Sequence, residues 1–105
     1  MIDKIFEEIR AERIRQHEKW GEQNWPMVPD NFGYFDTKVA LGLIRRHNDK
    51  AGKKDWYSIL AEEFLEAFVE TDPKREREEM IHVAAVAVQI IQCLDRHAEI
   101  MDAKQ

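Results

Sequence analysis

Two short motifs in the sequence place residues that can bind a metal ion close together. Glu62, Glu63 and Glu66 lie within five consecutive positions, and Glu79 is followed three positions later by His82. A helix turns by about 100° per residue, so residues three or four apart share a face. Like charges at that spacing repel each other. A divalent cation such as Mg²⁺ or Mn²⁺ would relieve the repulsion between carboxylates.

Charge is segregated along the chain around the first motif. The stretch 55–73 contains no Lys or Arg, whereas 45–54 contains five basic residues and one acid. A complex of a triphosphate with Mg²⁺ needs cations for its phosphate oxygens and carboxylates for its metal. By residue type, Lys53 and Lys54 are therefore candidate phosphate-binding residues.

Both motifs fall on predicted helices. Apolar residues recur at helical spacing in four stretches, which predicts helices over about 2–19, 37–49, 56–70 and 74–101. Gly21 ends the first helix, and Asp36-Thr37 is the expected cap of the second. Asp55 is the expected cap of the third, and Asp72-Pro73 starts the fourth. No strand pattern persists, so the predicted class is all-α.

The spacing of the last two helices predicts how the motifs meet. The short connection Thr71–Pro73 favours antiparallel neighbours, in which case Glu63, Glu66, Glu79 and His82 could converge. Between Val83 and Leu94 only Gln89 and Gln92 are polar. A helix that is apolar all round must be buried all round, so we expect a second copy of the chain to cover it.

Size and composition limit the class of protein. With 105 residues the chain is predicted to form a single domain, 1–105. Its net charge of −5 disfavours nucleic-acid binding. The single cysteine, Cys93, fits a reducing compartment, and the charged opening and short apolar runs predict neither a signal peptide nor a membrane helix. We therefore expect a cytoplasmic protein.

The motifs resemble those of a known superfamily. Glu63-Phe-Leu-Glu66 followed by Glu79-Met-Ile-His82 is similar to the signature of the MazG-like all-α nucleoside triphosphate pyrophosphohydrolases, which is Glu-x-x-Glu followed by Glu-x-x-Asp. The segment Glu12–Gln23, which reads Glu-Arg-x-Arg-Gln-x-x-Lys-Trp-Gly-x-Gln, resembles the N-terminal motif of a phage and bacterial branch. The resemblance covers most of the chain and is weakest over 24–55.

The resemblance implies a fold and a reaction. The fold would be a four-helix bundle completed by homodimerisation, or by pairing of dimers into a tetramer. The reaction would be Mg²⁺-dependent cleavage of a nucleoside triphosphate into a monophosphate and pyrophosphate. Glu63, Glu66 and Glu79 would be metal ligands, and a carboxylate such as Glu62 or Glu66 would orient or deprotonate the attacking water.

Other site residues follow from the motif and from residue type. His82 stands where the superfamily has Asp, and a nitrogen ligand favours Mn²⁺ over Mg²⁺; alternatively, His82 orients Glu79 or a water, or the site has lost activity. Trp20 or Trp25 could stack on a nucleotide base. Gln23, in the N-terminal motif, is a further candidate substrate-binding residue.

Two other functions fit the same residues. One is a helical dimer that binds a nucleotide or a protein partner without turnover. The other is a ferritin-like dinuclear metal protein, because Glu79-x-x-His82 is the Glu-x-x-His element of such bundles. Those proteins usually carry two such elements, and the second would have to come from a symmetric partner.

Overall fold

The computed structural model of the chain describes residues 2–50 and 55–103. In that part of the chain all regular structure is helical, in four helices and no strand. They are α1 (Ile2–Trp20), α2 (Tyr34–Lys50), α3 (Trp56–Val69) and α4 (Pro73–Ala103). The predicted all-α class is confirmed.

Three of the predicted helix ends are confirmed by local hydrogen bonds. Gly21 has a φ of 68°, and its N–H donates to the carbonyl of His17 at 2.7 Å, which closes α1. The Asp55 carboxylate accepts from the Ser58 backbone N–H at 2.8 Å and caps α3. Asp72 accepts from the N–H of Arg75 at 3.3 Å ahead of Pro73, the first residue of α4.

The predicted start of α2 is wrong by about one turn. The carbonyl of Gly33 accepts from the Thr37 N–H at 2.9 Å, and the Thr37 hydroxyl donates to the same carbonyl at 2.8 Å. The helix therefore begins at Tyr34, and Asp36 lies in its first turn instead of capping it. An acid in the first turn still suits the helix dipole.

The chain divides into two compact units. One contains 1–26 and 88–105; the other contains 27–87, with α2, α3 and the first half of α4. In the second unit α2 packs on α3, and the Tyr34 hydroxyl donates to the Val69 carbonyl, which joins the start of α2 to the end of α3. The predicted single domain stays a prediction.

Within the described residues, no helix has the length and apolar character needed to cross a membrane. The cytoplasmic location stays a prediction.

We expect Asp55→Ala to lower the melting temperature at pH 7, because the N–H of Ser58 loses its partner. Asp55→Asn should keep most of the stability, since an amide oxygen also caps. The hydrogen bond from Ser58 holds the pKa of Asp55 below its ordinary value. Its stabilisation is therefore present above the unfolded-state pKa and is lost as the pH falls through the folded-state pKa.

Thermal unfolding followed by circular dichroism between pH 7 and pH 3 measures the melting temperatures of the wild type and the two Asp55 variants. The gap between the wild type and Asp55→Ala should narrow below about pH 4. Equal melting temperatures for the Ala and Asn variants at pH 7 would contradict the capping role.

Candidate metal centre

Three side chains from consecutive helices form a cluster with metal-ligating groups. A carboxylate oxygen of Glu63 on α3, a carboxylate oxygen of Glu79 and a ring nitrogen of His82 on α4 all lie within 4.8 Å of one another. His82 Nδ1 is 3.4 Å from Glu79 Oε2 and 3.9 Å from Glu63 Oε2. These three residues are called the carboxylate–histidine cluster below.

The order of the helices explains how the cluster forms. Glu63 lies six residues before the end of α3, and Glu79 lies six residues after the start of α4. The two positions can meet only if α4 folds back along α3, as the short connection between the helices predicts. Helical spacing then brings His82 to the same face as Glu79.

Two oxygens of the cluster have no hydrogen-bond partner. Glu63 Oε2 and Glu79 Oε2 are buried and accept no hydrogen bond, whereas 58% of the His82 side chain is exposed. Buried carboxylate oxygens are unfavourable unless a donor or cation compensates them. Two carboxylates and one imidazole on a partly open face fit a divalent cation that keeps positions free for water or substrate.

The electrostatic surroundings of Glu63 also favour a bound cation. Burial raises the pKa of Glu63 above its ordinary value, and the negative charges of Glu66, Glu79 and Glu62 raise it further, against a lowering by His82. The charged form of Glu63 is thus disfavoured. A bound cation would favour it, because metal ligands of this kind are deprotonated.

The other two acids of α3 each contact a side chain of α2. Glu62 Oε1 accepts a hydrogen bond from Asn48 Nδ2 at 2.8 Å. Glu66 Oε1 accepts from the Arg45 guanidinium at 3.1 Å, in an ion pair. Glu66, expected as a metal ligand, is therefore held outside the carboxylate–histidine cluster, and its ligand role stays a prediction.

The sequence analysis did not identify Asn48, and it placed Arg45 in the basic stretch without an individual role. Asn48 follows Leu41 and Ile44 at helical spacing, on the stripe that faces α3, and only 6% of it is exposed. A polar side chain on an apolar stripe must find partners, and that signal could have identified it.

The predicted substrate-binding residues fall outside the described residues or outside the compact unit that contains the cluster. Lys53 and Lys54 are outside the described residues. Trp20 and Gln23 belong to the unit formed by 1–26 and 88–105; both are exposed, and the Lys19 ammonium lies 5.0 Å from the centroid of the Trp20 ring. Their roles in substrate binding stay predictions.

Comparison with known proteins adds no assignment: no family model, no curated protein and no solved structure matches the chain. The likeness to MazG-like enzymes therefore depends on the motifs alone.

Glu63→Gln should raise the melting temperature of the metal-free protein at pH 7 by a few degrees. A carboxyl whose pKa is raised by folding contributes stability below its unfolded-state pKa, and that contribution is lost as the pH rises through the folded-state pKa. At neutral pH the charged Glu63 is therefore a cost that Gln avoids. The advantage of the variant should disappear at acid pH.

Differential scanning calorimetry in EDTA tests whether Glu63→Gln raises the melting temperature. A second scan with Mn²⁺ tests whether the metal stabilises each protein. Mn²⁺ should raise the melting temperature of the wild type and leave that of Glu63→Gln almost unchanged. Glu78→Gln, an equal charge change at an exposed position of α4, is the matched control and should respond to Mn²⁺ like the wild type. An equal response of the Glu63 variant would contradict the site.

Proposed function

We propose that the chain is a metal-dependent nucleoside triphosphate pyrophosphohydrolase, which converts a ribo- or deoxyribonucleoside triphosphate to the monophosphate and pyrophosphate. The observation that carries the proposal is the carboxylate–histidine cluster, with its two buried oxygens that lack partners. The two motifs that build it are those that resemble the MazG-like signature.

Basic side chains on α2, the helix that packs on α3, support a phosphate substrate. The acids of α3 favour a cation, and α2 presents exposed basic side chains at Arg45, Arg46 and Lys50. Arg45 already contacts a carboxylate oxygen of Glu66. A guanidinium that binds one planar oxyanion can bind another, and phosphate suits the same donor geometry.

In the proposed reaction, different residues of the chain bind the metal, orient the water and bind the phosphate. Glu63, Glu79 and His82 would hold the metal, which supplies neutralisation of phosphate charge and a lower pKa for a bound water. Glu62 or Glu66 would orient the water that attacks phosphorus and accept its proton. Arg45 would stabilise negative charge on the phosphate oxygens.

His82 affects the choice of metal. Mg²⁺ is bound mainly through oxygen ligands, whereas an imidazole nitrogen is well suited to Mn²⁺. We therefore propose that Mn²⁺ supports turnover better than Mg²⁺ at equal concentration. His82→Asp, which supplies a third carboxylate, should shift the preference towards Mg²⁺.

The direct test is pyrophosphate release from a panel of ribo- and deoxyribonucleoside triphosphates, with Mg²⁺ and Mn²⁺ in parallel. The wild type should release pyrophosphate, and Glu63→Gln should lower the rate by at least about 100-fold, because a ligand of the metal is lost. Helical content by circular dichroism should be equal for the two proteins. The variant Glu78→Gln should keep the wild-type rate.

The other outcomes separate the rival functions. Nucleotide binding without pyrophosphate release would indicate the non-catalytic alternative. Uptake of iron with a visible absorption band would indicate a ferritin-like dinuclear centre. Turnover that survives in Glu63→Gln would contradict the assignment of the cluster as the active site.

We further propose that the chain forms a homodimer through α4. Leu94 and Met101, seven residues apart and so on one side of this helix, are 60% and 59% exposed, although Val86 and Val88 are buried. Large exposed apolar side chains on one side of a helix favour burial against a second apolar surface. A second copy of the chain supplies one by symmetry.

Leu94→Glu distinguishes a dimer from a monomer. At a position exposed in a monomer this change alters stability by no more than about 0.5 kcal/mol. In a dimer that buries Leu94, it should convert the protein to monomers in sedimentation velocity at micromolar concentration. Arg96→Glu, which places an acid on the opposite side of α4, is the control and should leave the dimer intact. A wild type that sediments as a monomer would contradict the proposal.

A further inference from the structure

We propose that the groove between α2 and α3 is a second binding site, separate from the carboxylate–histidine cluster, for a planar aromatic ligand that carries an anionic group. A nucleoside monophosphate has this chemistry. The groove offers such a ligand an apolar lining, an aromatic side chain at its edge and basic side chains at one end.

Both helices contribute to the apolar lining of the groove. The groove has a volume of about 410 Å³ and is lined by Ala40, Leu43 and Ile44 of α2 and by Ala61 and Leu65 of α3. The two alanines carry only a methyl group each, which leaves space between the helices. A concave, mostly apolar site of about 300–1,000 Å³ with a few polar groups is typical of small-molecule binding.

Two ring side chains of the groove are suited to stacking on a planar ligand. Tyr57, in the first turn of α3, and His47 on α2 both line the groove. Tyr57 is 82% exposed, so its ring adds little to the core and presents its face to a ligand. Aromatic side chains stack on any nucleotide base, because every base has a π-face.

The groove continues at one end into a basic surface. Leu43 and His47 also line a shallow depression that Arg46 and Lys50 complete. Both basic side chains are exposed, and neither forms an ion pair with a described residue. Cations beside an apolar groove complement a ligand whose other end is a phosphate, since guanidinium and ammonium groups both bind phosphate oxygens.

The acidic side chain of Asp55 lies near His47, but its charge is already engaged. Asp55 Oδ2 is 3.9 Å from His47 Nε2. The same carboxylate accepts from the Ser58 N–H at 2.8 Å and from the Ser58 hydroxyl at 3.1 Å, as the cap of α3. The cations Arg46 and Lys50 are therefore left to attract an anionic ligand.

The helical repeat places the groove on the opposite side of α3 from the metal ligand Glu63. Ala61 and Leu65 lie two positions before and after Glu63, so each is turned from it by about 160°. The ligand would therefore be bound without the metal. Of the basic residues of α2, Arg45 is already engaged in an ion pair with Glu66.

The test is a titration of the isotope-labelled protein with adenosine monophosphate in EDTA, followed by the chemical shifts of the backbone amides. The amides of Leu43, His47 and Tyr57 should shift along one saturating curve, and those of Glu79 and His82 should not. Adenosine alone and inorganic phosphate alone should each bind at least about tenfold more weakly, because each lacks one of the two contacts.

Two variants separate the contacts. Arg46→Glu should raise the Kd for adenosine monophosphate about fivefold or more, because an acid replaces a cation that binds phosphate, and should change the Kd for adenosine less than about twofold. Tyr57→Ala should raise both Kd values about fivefold or more. Tyr57→Leu, which keeps an apolar side chain, provides the comparison if Tyr57→Ala does not fold. Arg96→Glu, the same charge change at an exposed position of α4, is the matched control and should keep the wild-type Kd values.

The remaining outcomes overturn the second site. They are the absence of a saturable shift at the groove, shifts confined to Glu79 and His82, and inorganic phosphate that binds as tightly as adenosine monophosphate. Shifts at the groove that follow the protein concentration instead of the nucleotide would show that a second copy of the chain covers it. Because every titration contains EDTA, a wild type that releases no pyrophosphate would overturn the proposed function and leave this site unaffected.

Discussion

The three acids of α3 lie beside neighbouring helices, where each carboxylate needs a compensating partner. A carboxylate that leaves bulk water loses hydration that only donors or cations can replace. Glu62 has the amide of Asn48, and Glu66 has the guanidinium of Arg45. Glu63 has no hydrogen-bond donor on its buried oxygen and shares its surroundings with Glu79 and His82. The location of the candidate metal centre follows from this difference.

Because their partners differ, Glu66 and Glu63 have different roles although they lie within one turn of α3. The ion pair of Glu66 with Arg45 neutralises charge and holds α2 against α3. Burial and the negative charges of Glu66, Glu79 and Glu62 raise the pKa of Glu63, and His82 offsets them only in part. A carboxyl with a raised pKa beside other metal-ligating groups is typical of functional sites, and a cation bound by Glu63 and Glu79 would favour the charged form of Glu63.

The exposed apolar side chains of α4 favour a second surface that covers them. One part of the helix is buried at Val86 and Val88, while Leu94 and Met101 remain more than half exposed. Hydrophobic burial is the main favourable term in association, so a helix with exposed apolar side chains seven residues apart on one side is suited to an interface. In the proposed dimer each copy would cover the other's helix, as the apolar pattern in the sequence predicts.

The sequence by itself determined the features that depend on neighbours along the chain. The ends at Gly21, Asp55 and Pro73 follow from local hydrogen bonds and fixed dihedral angles, and the spacing of Glu79 and His82 follows from the helical repeat. The predicted start of α2 is wrong because the Gly33 carbonyl accepts the N–H of Thr37, so the first turn begins ahead of Asp36.

Only the tertiary structure decided which acid of α3 meets which partner. The helical repeat fixes the angle between Glu62, Glu63 and Glu66, but not which neighbouring helix each one faces. Asn48 and Arg45 lie on α2, separated from these acids by residues whose path the sequence does not specify. The packing of α2 on α3 assigned Glu66 to an ion pair, and the approach of Glu79 and His82 on α4 assigned Glu63 to the carboxylate–histidine cluster, because contacts between helices depend on the relative rotation of their axes.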